Sequence, residues 1–262
     1  MSAVTESRAR QLDAVLDRSA VGPGTGDELF AVVDVLGEAT ALRRALSDPD
    51  ATSQAKTDLV DRLFGSRLSA TTLAVLREAV SLRWPSMGAL SAAVERQAVR
   101  ASLKQAQAAG ELDRAADDLF RFNRTVQGNG DLRDALTDAR ADLGARQQVV
   151  DRLLEGKTSD VVRGLAKRAL RARNLSDALD GYGQVAAQLR ERSVAKVVAA
   201  APLSDEQQSR LRAALVKQLG RAVDLQVTID PTVLGGLRVR VGDDVIEGTV
   251  SRRLEDARRQ LA

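Results

Sequence analysis

Val223-Asp224-Leu225-Gln226-Val227-Thr228-Ile229 alternates apolar and polar residues at period two, the mark of a strand with one buried face. Asp230-Pro231 ends it, because proline has no N–H to give a ladder. Leu237, Val239 and Val241 then alternate with Arg238 and Arg240, Gly242-Asp243-Asp244 reads as a hairpin turn, and Val245-Ile246 returns. Upstream, Val194–Val198 is a short strand that Pro202 closes. Ser204 followed three residues later by Gln207 is a capping box, and the helix it opens runs to Gly220 with Leu211, Leu215 and Leu219 inward. Gly235-Gly236 permits positive φ or a close backbone approach. Ser251–Ala262 is expected to be a last helix, with Leu254, Ala257 and Leu261 on one face. The carboxyl-terminal part, 191–262, is therefore a small α/β domain.

The remainder repeats itself. Residues 27–80 align without a gap on residues 117–170, an offset of 90, with 16 of 54 positions identical. Asp27–Phe30 matches Asp117–Phe120, Leu42–Asp48 matches Leu132–Asp138, and Leu59–Phe64 matches Val149–Leu154. Charge is kept at Lys56/Arg146 and Arg77/Lys167. Leu29, Phe30, Val33 and Leu36 share a helical face, as do Leu59, Val60, Leu63 and Phe64. Ser47-Asp48-Pro49 stops a helix, Gly22–Gly26 reads as a loop, and Gly128-Asn129-Gly130 reads as a break special to the second copy. Met87–Ala109 predicts one long helix ending at Gly110. At the same offset it also matches the chain start (Ala93/Ala3, Val94/Val4, Arg100/Arg10), so it closes one bundle and opens the next. The expected fold is mainly α: helical bundles at 1–90 and 91–190 share a long helix, and the small α/β domain follows. Such a joint gives a semi-rigid arm rather than beads on a flexible linker.

Composition removes most alternatives. Apolar residues are 44% and charged residues 29% of 262, which suits a folded chain rather than a disordered one. Aromatics are 2%, so the cores rest on Ala, Leu and Val. Cysteine and histidine are absent, which excludes disulfides, thiolate or imidazole metal sites and a Ser–His–Asp triad. The net charge is only +3, with both signs interleaved along the chain. Residues 1–20 have no signal-peptide pattern, and no apolar run reaches the length of a membrane span.

Several local patterns tempt and fail. Gly156-Lys157-Thr158 ends like a P-loop, but Asp151 stands where the first glycine belongs and Val149–Leu154 reads as helix. Gly22, Gly24 and Gly26 have the wrong spacing for a dinucleotide site. Asp117-Asp118 and Asp243-Asp244 are neighbours that point apart, not acid/base pairs. Arg168–Arg173 and Arg252–Arg259 read as solvated faces rather than a nucleic-acid patch, since stacking aromatics are missing. Asn123-Arg124-Thr125 and Asn174-Leu175-Ser176 match the glycosylation sequon, without a secretory signal to make it relevant. No catalytic, cofactor-binding or metal-binding residue is assigned.

The stretch Asp230-Pro231-Thr232-Val233-Leu234-Gly235-Gly236-Leu237-Arg238-Val239-Arg240-Val241-Gly242-Asp243, continued through Gly248, resembles the signature of the δ subunit of F-type ATP synthases, whose mitochondrial counterpart is the oligomycin-sensitivity conferral protein. Glu247 stands where that family more often has Asp, and Thr249 where it often has Ser. Residues from about 91 onward match one full family member, and 1–90 looks like an extra copy, as in the extended chains of actinobacterial ATP synthases. The resemblance implies a non-catalytic stator subunit of the peripheral stalk, one copy per complex, that resists rotor torque during proton-driven ATP synthesis. The partners it implies are the N-terminal helices of the α subunits and the C-terminal region of the membrane-anchored b subunit. It also implies a peripheral place at the cytoplasmic face of the bacterial cell membrane, with no cofactor, no nucleic acid and no insertion into the bilayer. Asp230, Pro231, Gly235, Gly236, Gly242, Asp243 and Gly248 are then structural signature residues, and Leu254 and Leu261 are the candidate partner contacts. The alternative is an α-helical adaptor or scaffold without a motor partner.

Overall fold

The computed structural model describes residues 3–219, 223–230, 236–241 and 244–247. The chain forms two compact units, Met1–Ala186 and Ala187–Ala262.

The first unit is all helix. Its first half comprises α1 (Ala3–Arg18), α2 (Thr25–Glu38), α3 (Thr40–Ser47), α4 (Ser53–Phe64), α5 (Ala70–Ser81) and α6 (Met87–Ala108). The second half comprises α7 (Leu112–Gly128), α8 (Gly130–Thr137), α9 (Leu143–Leu154), α10 (Asp160–Ala169) and the part of α11 (Leu175–Ser193) up to Ala186. At the offset of 90 residues, α3 falls on α8 and α4 on α9 residue for residue, and α1 and α6 end at equivalent positions. The caps repeat as well. Thr52 and Asp142 accept from the amides of Ala55 and Ala145, and Ser69 and Ser159 from those of Thr72 and Val162, so each copy satisfies its orphan N–H groups at the same two helix starts. Lys56 and Arg146 keep their charge because each donates to a carbonyl at the end of the preceding helix, Asp48 after α3 and Leu136 in α8. Arg77 and Lys167 keep theirs because they pair with Asp61 and Asp151.

Helix α6 serves both halves. Leu90, Ala93, Val94, Ala98 and Ala101 join the core made by α1, α2 and α5, around Leu12, Leu16, Leu29, Val32, Leu36 and Leu76. Val99, Leu103 and Ala106 are equally buried but lie outside that cluster, and α6 also packs on α7 and α10. Every residue from Gln97 to Ala101 is buried, so the middle of α6 has neighbours on all sides. Gly110, at φ 74°, terminates it as expected.

Two details differ from the sequence reading. Thr25 and Gly26 belong to α2, not to a loop; Gly24 (φ 85°) makes the turn. Gly26 is glycine because α2 crosses α6 there: a Cβ would lie 2.2 Å from Ser102 Oγ and 3.1 Å from the Ala98 carbonyl oxygen. The break at Gly128-Asn129-Gly130 is not special to the second copy. Ala39 (φ −96°, ψ 81°) breaks the first copy at the equivalent of Asn129 (φ −128°, ψ 106°), without a glycine or a capping side chain to announce it.

The second unit continues with β1 (Val194–Ala199), α12 (Asp205–Leu219), β2 (Asp224–Ile229), β3 (Leu237–Val241) and β4 (Asp244–Glu247). The strand order among the described residues is β2-β1-β3-β4, with β1 and β2 parallel and the other pairs antiparallel. The capping box forms as expected: the Ser204 amide donates to Gln207 Oε1 at 2.9 Å, and the Gln207 amide to Ser204 Oγ at 3.2 Å. Ala195, Val197, Val223, Val239 and Val241 bury one face against Leu215. Asp244 pairs with Val241 as a strand residue, so the turn is one residue shorter at this end than the sequence suggests.

Candidate docking surfaces

The described residues bring together no group of three or more metal-ligating carboxylates, and they hold no helix long and apolar enough to cross a membrane. What they do contain is a set of joints and open faces.

One joint fixes α1 to α6. Asp13 is 1% exposed and accepts from Arg96 Nη2 (3.1 Å) and Gln97 Nε2 (2.9 Å), while the Arg100 guanidinium lies 3.8 Å away. Asp17 accepts twice from Arg100 at 2.8 Å and once from Lys104 at 3.1 Å. Burial pushes both carboxyls up, but the hydrogen bonds and positive charges of Arg96, Arg100, Lys104 and Gln97 outweigh it and hold both below the ordinary value. Sequence reasoning missed this cluster, since offset-matching places Leu103 opposite Asp13 and so gives no polar signal.

A second joint fixes the first copy to the second. Arg168 of α10 reaches Asp34 of α2 and donates to Glu95 of α6 at 2.9 Å, with its guanidinium 4.8 Å from the centre of the Phe30 ring. The Arg168 side chain is only 9% exposed. Burial lowers its pKa, yet the two carboxylates more than compensate and raise it. Tyr182 of α11 is buried nearby; burial first, then the Glu95 carboxylate, push its phenol well above the usual range. Arg168 is thus not on a solvated face, as its Arg-rich neighbourhood suggests, but at the seam between the copies. The sequence signal that could have found it is the repeat itself: Glu78 stands at the equivalent place in the first copy, so this arginine breaks the symmetry.

The copies differ in a third respect. Glu28 accepts from the Ser69 amide (3.0 Å), Ser69 Oγ (2.7 Å) and Thr72 Oγ1, tying α2 to the start of α5. In the second copy Asp118 is one methylene shorter, Val162 replaces Thr72, and Asp118 Oδ2 is buried without a hydrogen-bond partner.

Of the signature residues, two are described. The Asp230 amide donates to the Ala199 carbonyl at 2.9 Å and extends the β1–β2 pairing by one step. Gly236 has φ 83°, one of the two uses that the glycine pair permits, and it leads directly into β3. Pro231, Gly235, Gly242, Asp243, Gly248, Leu254, Leu261 and the expected helix Ser251–Ala262 lie outside the described residues. The sheet face away from Leu215 is open to solvent at Lys196, Arg238 and Arg240; Lys196 stands directly opposite Arg240 in the antiparallel register.

A repeated helical array followed by a small βαβ-based sheet, held together by interhelical joints and carrying an open charged sheet face, has the make-up of a docking subunit. Comparison with known proteins specifies which. The family described as ATP synthase delta (OSCP) subunit matches residues 94–261. Its start falls inside α6, at the equivalent of residue 4 in α1. Among curated relatives, the ATP synthase subunit delta of Streptomyces avermitilis is 43% identical, the alignment covering 98% of this chain and 96% of the relative. That of Kineococcus radiotolerans is 44% identical over 96% and 92%, and that of Streptomyces coelicolor 42% over 99% and 96%. The chain belongs to the ATP synthase delta (OSCP) family. It is a non-catalytic subunit of the peripheral stalk.

Proposed function

We propose that this subunit ties the N-terminal helices of the α subunits, at the catalytic head, to the C-terminal region of subunit b, as one copy per complex at the cytoplasmic face of the cell membrane. The second helical copy, within 91–190, carries the contact to the head, and the domain at 191–262 carries the contact to b. The copy at 1–90 lengthens the arm or adds a contact of its own.

The observation that supports this reading is the extent of the family match, which takes in the second copy and the α/β domain and leaves the first copy as an addition joined through α6. A stator joint has to dissociate slowly under load. Apolar anchors suit that task, each contributing about 1.5–3 kcal/mol when fully buried, whereas exposed ion pairs contribute about 1 kcal/mol or less. Two linked sites also raise each other's effective concentration.

The test is purification of the synthase through a tag on this chain, followed by cross-linking and identification of the joined peptides. The expected result is cross-links from 91–190 to α and from 191–262 to b. A chain that copurifies with neither, as an adaptor outside the motor would, overturns the proposal.

A further inference from the structure

None of the four charges at the seam between the copies has a like-charged counterpart in the repeat. Asp34 corresponds to Arg124, Arg168 to Glu78, Arg171 to Ser81 and Glu95 to Thr5. Pairs inside a copy behave differently: Arg77–Asp61 recurs as Lys167–Asp151. Helix α10 thus divides its cations. Arg163 and Lys167 turn to Asp151 of their own copy, whereas Arg168 and Arg171 reach Asp34 of the other. The fold of a copy does without the seam charges, since each is absent from the equivalent place in the other copy. They belong to the join.

That join is held by charge rather than by a broad apolar contact. Among the described residues, α1–α5 do not pack extensively on α7–α11; helices of both sets pack on α6. Helix α2 meets α10 through long side chains. The Arg168 guanidinium lies over Phe30, and Asp34 accepts from Arg168 and, at 3.5 Å, from Arg171. The Arg168 side chain is buried, but those of Asp34 and Glu95 are 33% and 36% exposed, so water and salt reach the carboxylates that hold it. Partly exposed ion pairs of this kind exchange readily for solvation. Packed helices also shear past one another in small slides. Helices α2 and α10 can therefore part by rolling on α6, with each core intact.

We infer that Arg168, assisted by Arg171, is an electrostatic latch between the two copies. Closed, it pins α10 to Asp34 and Glu95; open, it lets the copies roll on α6 while both stay folded. The latch makes the stiffness of the arm respond to ionic strength. It is a property of the chain alone and does not rest on the partners proposed above.

The chain has no cysteine, so a pair introduced into the full-length protein takes spin labels at those two sites alone. Arg62→Cys on α4 and Arg152→Cys on α9 are exposed, equivalent positions, on helices that pack mainly on α5 and α10. Double electron–electron resonance reads the distance between the labels. At low salt one narrow distribution is expected. Arg168→Gln is expected to add a second population and raise the open-to-closed ratio about tenfold or more. Raising salt from about 0.01 M to about 1 M, which shortens the Debye length from about 30 Å to about 3 Å, is expected to shift the labelled parent the same way. Arg163→Gln breaks pairs within one copy and is expected to leave the distribution unchanged. A distribution indifferent to Arg168→Gln or to salt means that α6 alone fixes the copies, and overturns the proposal. An equal response to Arg163→Gln overturns it too. So does a loss of helix content in Arg168→Gln by circular dichroism, because the latch has to open without unfolding.

Discussion

At the residue scale, the protein depends on a few charged side chains placed out of water. Arg100 is fully buried, donates twice to Asp17 and sets its positive charge 3.8 Å from Asp13. Arg100→Leu leaves Asp13 and Asp17 short of their counter-charge, and the expected loss is about 3–5 kcal/mol, read as a lower urea midpoint. The same pair sets a pH dependence. The folded pKa values of Asp13 and Asp17 are depressed, so their stabilising contribution is complete above the ordinary carboxylate range, about pH 4, and is lost as pH falls through the lower folded values. Urea titrations at successive pH values are expected to show a weaker acid dependence in the double variant Asp13→Asn, Asp17→Asn. An identical slope in variant and parent would exclude these two carboxylates as the source.

At the scale of elements, the contrast between Glu28 and Asp118 makes a transplant possible. Asp118→Glu with Val162→Thr recreates in the second copy the bond from the α2-type helix to the start of the α5-type helix. The expected gain is about 1 kcal/mol, seen as a raised midpoint, with either change alone giving less. Ser204→Ala is expected to cost about 1 kcal/mol by removing half of the capping box of α12. These elements also show what a single sequence reveals. The capping box, the strand alternation and the length of α6 were legible because each depends on neighbours in the chain. The break at Ala39 was not, because alanine has neither a capping side chain nor a turn preference to announce it. Gly26 read as loop because its role is steric and set by Ser102, 76 residues away. Arg168, Asp34 and Glu95 were illegible as a site for the same reason: their association exists only once two helical copies are packed. Of the expected signature, Gly236 took its positive φ, since that requirement belongs to the backbone at one position.

At the scale of the whole molecule, the sharing of α6 joins the copies more firmly than a linker could. Arg168→Ala is expected to leave both cores folded while weakening the seam between them. Hydrogen exchange of α10 and of the exposed side of α2 is expected to rise several-fold, with the amides of α4 and α9 unchanged. Deleting residues 1–85 is harsher, because it bares Leu90, Val94, Ala98 and Ala101 along one side of α6. If the first copy matters for coupling, that deletion lowers coupled ATP synthesis; unchanged assembly and synthesis would reject an essential role. The constancy of the ninety-residue period has one more consequence. A helix that finishes one storey and founds the next lets the structure grow by whole storeys, with no raw edge left at the splice. Reach can therefore be altered in fixed increments, each already built to fit the one beneath it.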